Sequence, residues 1–72
     1  MQILVFKTNL NDASRISDVE TSLDIHPNII GWNVDQHDND NDNILRIVAN
    51  NMAATEVETI ILNAGYYCEE LQ

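Results

Sequence analysis

The stretch GWNVDQHDNDNDNILRIVA, residues 31–49, decides the fold because it contains two strand patterns separated by a polar run. Before the polar run, Trp32 and Val34 fall on one face of an extended chain, and the asparagine between them falls on the other. After it, Leu45 and Ile47 alternate in the same way with a basic residue. The stretch therefore predicts two consecutive strands in the middle of the chain, joined by an acid-rich connection.

A strand and a helix precede this pair. The run ILVF, residues 3–6, is apolar and rich in β-favouring residues, so it predicts a first strand. Asn11 or Asp12 is suited to cap a helix whose apolar residues recur at i, i+3 and i+7, namely Ile16, Val19 and Leu23. This helix must end before Pro27, because proline disfavours helical geometry in the residue ahead of it.

A second helix and a last strand follow the pair. Thr55 and Glu58 form the T-x-x-E pattern of a capping box, and the apolar residues after Thr55 keep helical spacing. Gly65 is suited to end this helix, because glycine adopts the left-handed cap conformation at little cost. The segment YYCEEL, residues 66–71, predicts an edge strand that is half apolar and half acidic.

The predicted order β-α-β-β-α-β belongs to one domain, residues 1–72, with an α+β, ferredoxin-like fold. Right-handed crossovers wind this order into a four-stranded antiparallel sheet with both helices on one face. In that topology three connections share one end of the molecule: the loop before the first helix, residues 37–43 and residues 65–67. His26 and Pro27 belong to the other end.

Composition argues against several classes of partner and setting. Twelve acidic and three basic residues give a formal charge of −9, which repels phosphate, so we expect neither nucleic-acid nor membrane binding. The single cysteine, Cys68, cannot close an internal disulfide, which indicates a reducing, cytoplasmic setting. The sequence shows no Ser-His-Asp or Cys-His arrangement with motif context and no glycine-rich phosphate loop, so we expect a protein that is not an enzyme.

The acid-rich connection has the aspartate spacing that opens a calcium loop. A loop begun at Asp38 needs glycine at its sixth position and glutamate at its twelfth, where the chain has Asn43 and Ala49. Strands rather than helices flank it, so a helix-loop-helix calcium site is excluded. Two interpretations stay open: a solvated hairpin turn, or a weak divalent-cation site. The residues of that cation site would be Asp12, His37, Asp38, Asp40 and Asp42.

Several short motifs, taken in order, resemble those of a heavy-metal-associated domain: Leu23 to Pro27, Val34 with Asp35, the helix start Thr55-Glu56-Val57, and Ala64-Gly65-Tyr66. The resemblance covers nearly the whole chain and implies the same ferredoxin-like fold. It also implies where the two metal-binding cysteines of that family would fall, which is on Asp12 and Arg15 of this chain.

These two substitutions change the expected chemistry. The soft-metal sites of the family depend on two thiolates, whereas aspartate is a hard ligand and arginine is no ligand at all. The resemblance therefore implies a degenerate member that has lost its soft-metal site. From the residues alone, Asp12 is suited to cap the first helix and Arg15 to pair with a surface carboxylate.

One face of the predicted sheet is left open by the helices. If Ile3 and Val5 face the helices, four apolar residues remain for the open face: Leu4, Phe6, Ile44 and Val48. A contiguous apolar patch of this kind marks an association site. We therefore predict that a protein partner or a second copy of the chain binds there.

Two functions remain open at this point. The first is a small non-catalytic binding module that acts in protein–protein interaction or self-association and has no cofactor beyond a weakly bound divalent cation. The second is metal binding or transfer through a site without paired cysteines. That site would use the acidic end of the molecule, or Cys68 together with a histidine.

Overall fold

The computed structural model describes residues 1–35 and 43–71. Its helices and strands follow the predicted order: β1 (Gln2–Thr8), α1 (Ala13–Asp24), β2 (Ile29–Asp35), β3 (Asn43–Ala49), α2 (Ala54–Asn63) and β4 (Cys68–Glu70). The strands form one sheet in the order β2-β3-β1-β4, and every neighbouring pair is antiparallel. The predicted ferredoxin-like α+β fold is confirmed.

An apolar core lies between the sheet and the two helices. Each helix buries apolar residues that recur at helical spacing. These are Val19 and Leu23 in α1, and Val57 and Ile61 in α2. The sheet contributes fully buried side chains from its two central strands, Phe6, Leu45 and Ile47. Burial of an apolar side chain of this size stabilises the fold by about 1.5–3 kcal/mol, so this layer holds both helices on one face of the sheet.

The orientation predicted for β1 is wrong. Phe6 is fully buried and Leu4 packs against the core, so both face the helices, whereas Ile3 is 65% exposed on the other side. The reason lies in Thr8, which is buried where its hydroxyl donates a hydrogen bond of 2.6 Å to the Tyr67 carbonyl. Alternate residues of a strand share a face, so a buried Thr8 brings Phe6 and Leu4 to the same side.

The other two residues predicted for the uncovered side of the sheet do lie there. Ile44 and Val48 are half-buried and alternate with Leu45 and Ile47, which are in the core. The side of the sheet away from the helices, called the open face below, therefore includes odd-numbered residues of β1 and even-numbered residues of β3. Binding of a protein partner or a second copy of the chain to this face remains a prediction.

Both ends of α1 lie where the sequence predicts them. Asp12 has an extended backbone, and its side chain accepts a hydrogen bond from the backbone N–H of Arg15, which makes it the N-cap. The helix ends at Asp24, ahead of Pro27. Among the described residues, neither helix has the length and apolar character needed to cross a membrane.

The second helix begins two residues earlier than the capping-box pattern predicts. Its N-cap is Ala53, whose backbone N–H donates to the Glu56 carboxylate at 3.1 Å. This bond is one half of a capping box, and alanine has no side-chain oxygen to supply the other half. The end of the helix is as predicted: Gly65 has φ +91°, and the Tyr66 N–H donates to the Ile61 carbonyl at 3.1 Å.

Ala53→Ser is expected to raise the free energy of unfolding by about 1 kcal/mol, since serine supplies the missing cap oxygen. The extended backbone of Ala53, with φ −83° and ψ 146°, already suits an N-cap. Urea denaturation of both proteins measures the difference. Ala64→Ser, at the exposed C-cap of the same helix, is the control. An equal gain from that variant would show that capping is not the cause.

Candidate functional site

Two loops meet at one end of the molecule, as the topology predicts. The loop after β1 contacts the loop before β4 through a hydrogen bond of 2.8 Å from the Tyr67 N–H to the side-chain oxygen of Asn9. The buried Asn43 side chain, at the start of β3, donates to the Leu10 carbonyl at 2.6 Å. Hydrogen bonds between three separate parts of the chain therefore fix the backbone at this end.

Asp12 and Arg15 lie at this end, and the first turn of α1 positions both. The Asp12 carboxylate accepts from the Arg15 backbone N–H at 2.8 Å, and the Arg15 Nε atom lies 3.7 Å from its other oxygen. The predicted helix cap and the predicted ion pair of Arg15 are therefore both present, and they involve the same carboxylate. The Asp12 carboxylate therefore contacts both the backbone and the side chain of Arg15.

The Arg15 guanidinium is held by two further groups. It donates to the Asn9 carbonyl at 3.0 Å and lies over the Tyr66 ring, 5.9 Å from its centroid. The Tyr66 hydroxyl in turn donates to Asp18 on α1. This hydrogen bond, with the negative charge of Asp18, raises the pKa of the Tyr66 phenol above its ordinary value. Asn9, Asp12, Arg15, Asp18 and Tyr66 form the Arg15 cluster.

The Arg15 cluster does not fit copper(I) as a bound cargo. A guanidinium has no lone pair to offer, and its fixed positive charge a few ångströms from a cation costs roughly 1 to 4 kcal/mol. Aspartate oxygen is a poor match for a soft ion. The chemistry that this arrangement does support is recognition by charge, hydrogen bonding and an aromatic face.

Cys68 does not add an accessible soft-metal ligand to this end of the molecule. The thiol is buried at the start of β4, and burial, with the nearby charge of Glu58, raises the pKa of Cys68 to about 12. The thiolate that binds soft metals is therefore scarce at neutral pH. In residues 1–35 and 43–71, no three His, Cys, Asp or Glu side chains converge as a metal site would require.

The predicted cation site falls mostly outside the described residues. Four of its residues lie in the segment 36–42, outside the described residues: His37, Asp38, Asp40 and Asp42. Asp12 is described, and its carboxylate bonds the start of α1. The cation site remains a prediction.

Asn9 and Tyr66 are site residues that the sequence reasoning did not single out. Tyr66 is far from Arg15 in the chain, and Asn9 contacts Arg15 from the loop before α1, so helical or strand periodicity carries no signal for either residue. The available signal is topological, because the loops that contain Asn9 and Tyr66 were both predicted at this end.

Solved structures of copper-binding domains share this fold. The yeast copper transporter domain Ccc2a, studied in apo and copper(I)-loaded states, has a TM-score of 0.81 and 15% identity over 100% of this chain and 97% of its own. A second structure of that domain gives 0.74 and 16% over the same shares. The first domain of the human copper chaperone for SOD1, loaded with copper(I), gives 0.68 and 18% over 94% of this chain and 89% of its own.

At these identities the likeness establishes the fold alone. No protein-family model matches the sequence, and no curated protein matches it. The structures nevertheless show that the βαββαβ sandwich of this chain is one on which copper(I)-loaded domains are built.

Proposed function

We propose that this chain uses the fold of copper-binding domains to recognise a protein partner and does not carry copper(I). The observation that supports the proposal is the position of Arg15. Arg15 is the residue on which the family resemblance implies the second metal-binding cysteine, and its guanidinium contacts Asn9, Asp12 and Tyr66. Because three groups fix this guanidinium, the end of the molecule that holds it has a defined polar surface.

The same surface has the composition of a protein-binding site. Arginine and tyrosine are over-represented among the residues that dominate binding energy at protein interfaces. Arg15 and Tyr66 lie together here and are half-buried, and the neighbouring Tyr67 is exposed. The surrounding charge is strongly negative, with −9 over the whole chain, so a partner with a basic face would associate faster than a neutral one.

Metal titration separates protein recognition from metal handling. In an anaerobic competition with a chromophoric copper(I) chelator, the unmodified chain is expected to show no binding at micromolar copper, because no paired thiolates are available. Arg15→Ala is the matched variant: it removes the positive charge and adds no ligand, so it is expected to bind no better. Stoichiometric copper(I) on either protein would contradict the proposal.

A second arm of the same titration uses calcium(II) and manganese(II), which prefer oxygen ligands. Millimolar or weaker affinity is expected, because the Asp12 carboxylate already contacts Arg15 and no three ligands converge among the described residues. Micromolar binding that Asp12→Asn abolishes would favour the metal-handling function instead. It would also mean that Asp12 leaves its helix cap to bind the ion, which circular dichroism would register as a change in helix content.

A further inference from the structure

The open face has a definite pattern of side chains, set by the strand register. Three rows cross it, beginning at the end that holds the Arg15 cluster: Asp35, Ile44, Lys7 and Glu69; then Asn33, Arg46, Val5 and Leu71; then Gly31, Val48 and Ile3. Charged residues are concentrated in the first row. Apolar residues occupy most of the other two.

The apolar part of this face is exposed. Ile3 is 65% and Leu71 41% exposed, and Val5, Ile44 and Val48 are half-buried. Gly31 adds no side chain beside Val48, and a Cβ there would meet nothing within 4 Å. At the corner formed by Gly31, Val48 and Ile3, no side chain from β2 therefore obstructs contact with another surface.

The charges on the open face balance one another. Two of the three basic residues of the chain lie on it, Lys7 and Arg46, together with Asp35 and Glu69. Arg46 forms an ion pair with Asp35, and the register places Lys7 opposite Glu69. The charges of the described residues on this face therefore sum to zero, although the chain as a whole carries −9. This is a surface on which a second acidic chain can dock with little local repulsion.

We propose that the open face binds the same face of a second copy of this chain. Two such sheets would pack face to face about 10 Å apart, with their strands crossed by about 30°, as in a β-sandwich. The acidic helices of both copies would then point away from each other. The open face is separate from the Arg15 cluster, so this dimer would form whether or not that cluster binds a metal.

The size of the face sets the strength of this dimer. Three strands of seven residues and one of three, about 4.8 Å apart and rising about 3.3 Å per residue, cover roughly 400 Å². Two copies would bury about 800 Å² in total, less than the ~1,200 Å² of stable complexes. The dimer is therefore weak, and it forms at high micromolar to millimolar protein concentration.

Salt distinguishes this dimer from a complex with a basic partner. Each copy carries −9, so long-range repulsion opposes self-association, and salt weakens that repulsion while leaving apolar contacts intact. Dimerisation is expected to strengthen as ionic strength rises. Binding of a basic protein would weaken over the same range.

Sedimentation velocity of the full chain tests the proposal. The average mass is expected to rise from 8.2 kDa toward twice that value with protein concentration, and to rise further between about 0.01 M and about 0.5 M salt. A mass of 8.2 kDa at millimolar protein in high salt would overturn the proposal, as would association that weakens with salt.

Lysine variants test whether the open face forms the dimer contact. Ile3→Lys is expected to weaken dimerisation at least about tenfold, although the added charge reduces repulsion between copies. Leu62→Lys, at a residue 59% exposed on α2, makes the same change of charge away from the open face and is expected to leave dimerisation no weaker. Leu71→Lys, outside β4, replaces Ile3→Lys if that variant fails to fold. Equal dimerisation by open-face and α2 variants would overturn the proposal.

Discussion

Phe6→Ala is expected to lower the free energy of unfolding by about 3–5 kcal/mol, the usual cost of removing a fully buried aromatic side chain. Phe6 is completely inaccessible to solvent and pairs with Leu45 on the neighbouring central strand, so the cavity would open in the middle of the core. Small domains are stable by only about 5–15 kcal/mol, and this variant would lose much of that. Urea denaturation monitored by circular dichroism measures the loss.

Ile3→Ala on the same strand is the matched control. Ile3 is 65% exposed on the open face, so its truncation is expected to cost less than about 1 kcal/mol in dilute solution. The pair of variants therefore tests the orientation of β1 directly. If Ile3→Ala were the more destabilising of the two, the strand would face the opposite way.

The double variant Asp12→Cys with Arg15→Cys is expected to bind copper(I) more tightly than the unmodified chain by several orders of magnitude. The two positions are the N-cap and the third residue of α1, and thiols at a helix N-terminus have a lowered pKa that favours the thiolate. The change also removes the guanidinium charge. The chelator competition used for the unmodified chain measures the affinity.

Each single cysteine variant serves as a control for the pair. One new thiol together with the buried Cys68 gives no converging pair, so neither single variant is expected to approach the affinity of the double one. Loss of the Asp12 cap costs about 0.5–2 kcal/mol, so circular dichroism must confirm that the double variant is folded. A folded double variant no better than the singles would mean that this end of the fold does not hold its ligands as the resemblance implies.

The topology could be predicted from the sequence because independent local signals agree. Pro27 and Gly65 end the two helices, and the alternation around Trp32 and Leu45 marks the two middle strands. The orientation of β1 was missed because residues 3–6 are all apolar, so alternation within that run favours neither face. The charge of Lys7 indicates the correct orientation. A charged residue after Phe6 belongs on the open face, and alternation along the strand then places Phe6 in the core.

The Arg15 cluster could be predicted only in part. The cap at Asp12 is a local interaction and can be read from the helix start. The contact of Arg15 with the Tyr66 ring depends on how the first turn of α1 packs against the loop before β4, which no spacing along the chain specifies. The start of α2 was missed for a related reason. Ala53 is a poor N-cap by residue type, and the backbone bond to Glu56 decides the boundary.

The register shift in β2 affects how molecules of this protein can meet in concentrated solution. β2 is an edge strand, and an uninterrupted edge is a template on which fibrils grow strand by strand. Ile30 is an extra residue between Ile29 and Gly31, so the outward N–H and C=O groups lose their regular spacing there. A foreign strand cannot pair along all of β2, and amyloid-like growth from this edge is disfavoured.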